Sequence, residues 1–316
     1  MERVVALCGG VGGAKLALGL AHQLPPDAFT VIVNTGDDVV HHGLHISPDL
    51  DTVMYTLAGI VNPETGWGLA GDSFQMLDML ARYGAEPWFR LGDRDLATHL
   101  LRTEMLRAGH SLTDVTAHLC RALGVGPRLL PMSDDRVATI VLTDEGRLEF
   151  QEYFVRRRWQ PVVREIVFDG LEVARPSPAV LEAVCQADAI VVCPSNPYVS
   201  LDPILALPGL REAIRESPAA KVGISGIIGG EAVKGPAAKI MRELGEVPAA
   251  HVVASRYADI LDAFFLDTRD RAERERIQAL GVRPVVADIL LPDLEAKTRL
   301  AGHALEICRA RRDAER

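Results

Sequence analysis

Cysteine is scarce. The chain has five in 316 residues, Cys8, Cys120, Cys185, Cys193 and Cys308, never at CxxC spacing, which excludes a disulfide framework and points to a reducing cytoplasm. Long apolar runs are missing too: none approaches the roughly 18–20 residues that cross a bilayer, so no membrane partner is expected. Residues 1–24 hold an apolar stretch, but Gly9, Gly10, Gly12 and Gly13 interrupt it and no cleavage site follows, so strand, turn and helix is the expectation rather than a signal peptide. Basic residues are outnumbered, 34 against 43 acidic for a net charge of −9, and they are scattered. A surface neutralising many phosphates of nucleic acid is therefore excluded. Repeats, Gly/Ser linkers and low-complexity segments are also absent.

What is present is 48% apolar and 24% charged residues, the balance of a globular protein with a sizeable core. Arg3 to Cys8 is a short apolar run, followed by GGVGGAK (9–15) and an apolar helical pattern, the opening of a βα unit. Phe29 to Val33, AIVVC (189–193), KVGIS (221–225), AFFLD (263–267) and RPVVAD (283–288) repeat the strand signal near helical segments. This predicts an α/β fold, a Rossmann-like three-layer α/β/α arrangement around a mostly parallel sheet. Residues of about 50–125 have helical periodicity with few strand signals and are expected to form an inserted helical subdomain within a single domain spanning 1–316. Asp93 and Ser111, the latter followed by Asp114, are expected helix N-caps. From 128 to 170, alternating stretches predict antiparallel strands as an edge extension of the sheet, and 293–314 predicts an amphipathic terminal helix.

Chemistry is expected in the loops. The glycine turn with Lys15 stands where an open sheet seats an anion on backbone N–H groups, yet it is not a P-loop, because Ala14 precedes Lys15 and Leu16 follows it. The alternative is a turn that only permits tight helix–sheet packing. NTGDD (34–38) and the loop through HHGLHISPDLDT (41–52) supply Asp37, Asp38, Asp49 and Asp51, hard carboxylates suited to magnesium beside a phosphate; capping and turn roles are the competing reading. His41, His42 and His45 lack a fourth zinc ligand and read as exposed. LGDRD (91–95), PMSDD (131–135), PSNPYVS (194–200), and ISGIIGG with KGPAAK (224–239) complete the polar loops. Ser195 is in no GxSxG elbow, which argues against a hydrolase triad.

GGVGGAK, NTGDD, SPDLDT, LGDRD, PMSDD, SNP and GPAAK, in this order, resemble the 2-phospho-L-lactate transferase family of deazaflavin coenzyme biosynthesis over nearly the whole chain. The resemblance implies a Rossmann-like core, a homodimer and a magnesium-dependent transfer. In that reaction a phospholactyl or phosphoenolpyruvyl group moves from a guanylylated donor to the ribityl hydroxyl of the deazaflavin Fo, and GMP leaves. It places Fo on Asp51 and on Arg90, where archaeal members are expected to carry lysine; arginine keeps the charge but not the geometry. On this resemblance Gly9, Gly10, Gly12, Gly13, Lys15, Ser195 and Asn196 are the nucleotide and phosphate site, and Asp37 and Asp38 the magnesium ligands. Lys15 would neutralise charge, and Asp51 would act as anchor or base. Trp67 and Trp88 are candidates to line a slot for the flat ring. Two other readings stand beside it. The related gluconeogenesis-factor family of nucleotide-sugar-binding regulatory proteins lacks the SPDLD and LGDRD segments, and a nicotinamide oxidoreductase needs glycine where Lys15 stands and an acid where Asn34 stands.

Overall fold

Five apolar residues, Val4–Cys8, form strand β1 and are buried throughout in a computed structural model that describes residues 2–315. Six more strands join it: β2 (Phe29–Val33), β3 (Arg128–Pro131), β4 (Ala189–Val192), β5 (Ala220–Ile224), β6 (Ala263–Asp267) and β7 (Arg283–Ala287). Their order across the sheet is β7-β6-β5-β4-β1-β2-β3, and every pairing is parallel. Because successive strand residues face opposite ways, Val5, Leu7, Ile32, Ile190 and Val192 enter one apolar layer and Val4, Ala6, Cys8, Val31 and Val191 the other. Pro284 sits in β7, at the edge, where its missing N–H breaks no ladder.

Strand order reverses between β1 and β4, and in such sheets ligands enter the crevice at the carboxyl ends beside the reversal. The loops that meet there are Gly9 to Gly13, at the start of α1 (Gly10–Ala21), and Pro194 to Asn196, which follows β4. Four helices lie between β2 and β3: α2 (Pro48–Leu57), α3 (Gln75–Arg82), α4 (Asp95–Arg107) and α5 (Leu112–Ala122). Leu50, Val53, Leu112 and Val115 pack into the same layer as α1 and the C-terminal helix Leu294–Glu315.

Three expectations are corrected. The stretch after NTGDD is partly a hairpin, with Val39–His41 paired antiparallel to Leu44–Ile46, turned by His42 and Gly43 at φ 49° and 75°; positive φ at both turn residues suits the twist of a two-residue hairpin. Of the stretch 128–170, expected as antiparallel strands extending the sheet edge, only β3 lies at that edge, and it pairs parallel with β2. Ala138–Thr143, Gly146–Glu149 and Val163–Asp169 form a separate antiparallel sheet, whose Val141, Leu148 and Val163 join the apolar layer of Val5 and Leu7.

The third correction concerns Asp93, which caps α3 instead of the helix it precedes: its carboxylate accepts from the N–H groups of Gln75 and Met76 and from the Ser73 hydroxyl. Asp72, which precedes α3, accepts from Arg94 and Asp95 N–H at the start of α4. The two aspartates exchange helices, clasping the subdomain. Ser111 caps α5 with Asp114 as expected.

Candidate active site

Gly9 leaves β1 extended and Gly10 turns at φ +60°, a conformation that costs a side chain but not glycine. The Ser195 hydroxyl accepts from Gly9 N–H at 3.0 Å and donates to the Gly9 carbonyl at 2.8 Å, so it locks the two switch-point loops together. An added Cβ at Gly12 would lie 2.5 Å from the Pro194 carbonyl oxygen, and one at Gly13 2.6 Å from Cys8 Sγ. Both glycines therefore have a packing reason to be glycine, and a valine at Gly12 would test that packing before any phosphate contact. Asn196 Oδ1 accepts from Tyr198 N–H at 3.0 Å and starts the next turn. Lys15, half-buried on α1, has no ion pair recorded among the described residues.

Beside the turn lies an acidic shelf. Asn34, fully buried at the end of β2, holds its amide nitrogen 3.0 Å from Asp37 Oδ1 and 3.0 Å from Asp49 Oδ2. Asp37 also receives Gln151 at 3.3 Å, while Asp38 Oδ2 is met by the Ser47 hydroxyl at 2.7 Å and by His45 Nε2 at 3.0 Å. Asp49 reaches the turn itself: an added Cβ at Gly9 would be 2.6 Å from its Oδ2. Burial, and then repulsion by Asp49 and Asp38, pushes the Asp37 carboxyl well above the carboxylate range. Burial likewise raises Asp49 to about 7, even though Asn34 and Gly10 hydrogen-bond it. Such carboxylates are short of positive charge.

Asp51 behaves differently. It is 5% exposed, and both its oxygens are taken by Arg102, itself 1% exposed: Nη1 donates to Oδ2 at 3.0 Å and Nη2 to Oδ1. His99 Nδ1 is 3.7 Å from Asp51, and His99 Nε2 is 3.4 Å from Asp95. The Tyr55 hydroxyl lies 2.6 Å from Asp95 and 2.8 Å from the Thr98 hydroxyl. Burial disfavours charge on Arg102, but Asp51 more than offsets it and the guanidinium pKa is raised. This network binds the SPDLD helix to the LGDRD helix. Arg102, His99 and Asp95 were not singled out from the sequence, yet they stand at i, i+4 and i+7 on α4, a polar stripe on its buried side, while Leu100 and Leu101 of the same helix are exposed. That inversion of the usual amphipathic pattern was the available signal.

Arg90 is exposed, with its guanidinium 4.3 Å above the Phe74 ring. Trp88 packs edge-on to His41 and Phe89, whereas Trp67, on a different loop, is 41% exposed. PMSDD serves the scaffold: Asp134 accepts from Thr113 N–H and Asp135 from Arg175 N–H.

Among the described residues no three His, Cys, Asp or Glu side chains are arranged to hold a metal. One buried oxygen on the shelf, Asp38 Oδ1, has no hydrogen-bond partner. The shelf thus fits a magnesium that takes one or two carboxylates and completes its shell with water and substrate phosphate, and does not fit a cage built from protein alone.

Residues 4–302 match the family described as 2-phospho-L-lactate transferase CofD. The chain is 47% identical over 311 residues to a phosphoenolpyruvate transferase of Streptomyces griseus, covering 96% of this chain and 98% of the relative. It is 40% identical to a 2-phospho-L-lactate transferase of Methanosarcina mazei, covering 94% and 98%. Among solved structures, a member of the UPF0052 family from Bacillus halodurans aligns with a TM-score of 0.62 at 20% identity, covering 96% of this chain and 98% of the other, a likeness of fold.

Proposed function

Because this chain belongs to the CofD family of transferases, we propose that it moves a phosphoenolpyruvyl group from a guanylylated donor to the ribityl hydroxyl of Fo and releases GMP. The higher identity to the relative named phosphoenolpyruvate transferase favours that group over phospholactyl. The observation that carries the reading is the Asp51–Arg102 pair: it fixes the segment expected to meet Fo against the LGDRD helix, while Asp49 of the same helix touches the glycine turn. Acceptor and donor ends thereby share one rigid element.

The hydroxyl oxygen of Fo bonds to the phosphorus bearing the three-carbon acid, the bridging P–O bond breaks, GMP departs with that electron pair, and the hydroxyl proton passes through water to the departing phosphate. Positioning and charge neutralisation supply the acceleration in such transfers. Lys15 and the positive N-terminal end of α1 offset charge on the leaving phosphate, the Gly9 and Gly10 N–H groups being taken by Ser195 and Asp49. Asp51, already bound to Arg102 through both oxygens, serves as a fixed anchor for the ribityl chain. Arg90, on Phe74, presents its charge to the ring end. Magnesium, held by Asp38 with Asp37 beside it, would supply additional positive charge at the diphosphate. A homodimer in the cytoplasm is the expected setting.

Fo binding, followed by deazaflavin fluorescence, tests the acceptor end. Arg90→Ala should weaken it about tenfold, roughly 1.4 kcal/mol, with the melting temperature unchanged because the side chain is exposed. Asp51→Ala should weaken it as much and also lower the melting temperature, since it strands Arg102. Unaltered affinity in Arg90→Ala would remove that residue from the site.

A further inference from the structure

Lys15 has two cationic neighbours that none of the roles above uses. Lys234, between Gly230 and Gly235, crosses to the loop of the helical insertion and donates its ammonium to the Thr65 carbonyl. That loop covers the start of α1: an added Cβ at Gly66 would lie 2.6 Å from Val11 Cγ1, and Val11 is one helical turn before Lys15. On the other side Lys297 packs against Gly19, one turn after Lys15; a Cβ there would be 3.2 Å from Lys297 Cβ. Lys15 is thus flanked along α1 by a lysine from each of two distant segments. No salt bridge is recorded for any of the three among the described residues. Asp293, the one carboxylate acting on Lys297, is occupied as helix cap by Ala296 N–H at 2.8 Å.

Lysines that meet α1 around Val11, Lys15 and Gly19, with the helix-capping Asp293 as the carboxylate beside one of them, repel one another unless an anion joins them. We propose that Lys15, Lys234 and Lys297 form a seat for a diphosphate, with Lys234 held beside it by its contact with the insertion loop. Burial and then the charge of Lys15 lower the pKa of both Lys234 and Lys297, as expected of cations gathered before their counter-ion arrives. The identity of the diphosphate as the bridge of the guanylylated donor rests on the transfer reading above; the seat itself does not. It also gives the KGPAAK segment a role: it brings a charge from beyond β5 to α1, so donor binding would couple the insertion to the sheet.

Calorimetric titration with inorganic pyrophosphate, GDP and GMP tests this without any transfer step. Lys234→Ala and Lys297→Ala should each weaken pyrophosphate and GDP binding about tenfold, GMP binding less, and leave Fo binding unchanged. Lys234→Arg should restore most of the affinity. Should Lys234→Ala lose its fold, Lys234→Gln and Lys297→Ala carry the test. Pyrophosphate that binds wild type and variants equally, or does not bind wild type, overturns the seat. Lysine-dependent pyrophosphate binding in a protein that transfers nothing to Fo would leave the seat standing and remove the transfer reading.

Discussion

Arg102→Met is expected to destabilise the protein by about 3–5 kcal/mol, because it leaves the buried carboxylate of Asp51 without its counter-charge. The loss should appear as a lower urea midpoint with little change in slope, since the surface exposed on unfolding stays the same. Loosening should spread through the shared network, to His99, Asp95 and Tyr55. The double variant Asp51→Asn with Arg102→Met should regain much of the stability, because a neutral pair has no charge to desolvate. It should not regain Fo binding. A double variant as unstable as the single would show that the destabilisation arises from lost packing instead of the stranded charge. Acid should attack the same network: burial alone would raise Asp95, but His99, Tyr55 and Arg102 together hold it below the ordinary carboxylate value. Its contribution is therefore present above the unfolded value of about 4 and is lost as pH falls through the lower folded value.

Removal of divalent metal is expected to stop transfer altogether. On the proposed transfer, the donor's two adjoining phosphates would bring their charge beside Asp37 and Asp49, carboxylates already short of positive partners, so the lysines would face more negative charge than they can balance. Treatment with EDTA should reduce product to background, and added magnesium should restore it. Asp38→Asn should raise the magnesium concentration needed, because it replaces the carboxylate whose Oδ1 lacks a partner. Full turnover in metal-free buffer would take Asp37 and Asp38 out of the mechanism.

Six of the seven strands of the parallel sheet are legible as short apolar runs, which need no alternation to be recognised when buried on both faces; Arg128–Pro131, short and led by an exposed arginine, is hidden in a stretch that reads as antiparallel. Residues 39–46 carry no strand signature, since HHGLH offers little apolar signal and a turn at positive φ through His42 has weaker sequence chemistry than Asn-Gly. Asp93 looked like a cap for its own helix. Its actual targets lie 17 and 18 residues earlier in the chain, and local capping rules carry no information about a partner that tertiary packing supplies. At the candidate site, the residue types around the crevice were readable, but their pairings were not. Asp51 reads as a free carboxylate until Arg102 is found on it, and Gly12 reads as an anion cradle until the Pro194 carbonyl is found against it.

The most direct measurement is the mass of what Fo becomes when incubated with this protein, magnesium and each guanylylated three-carbon acid in turn. The proposed function predicts Fo enlarged by one phosphoenolpyruvyl group, with an equal amount of GMP and slower product from the phospholactyl donor. Fo recovered unchanged with both donors, from protein that still binds it, would contradict the transfer and favour a nucleotide-binding role on the same fold.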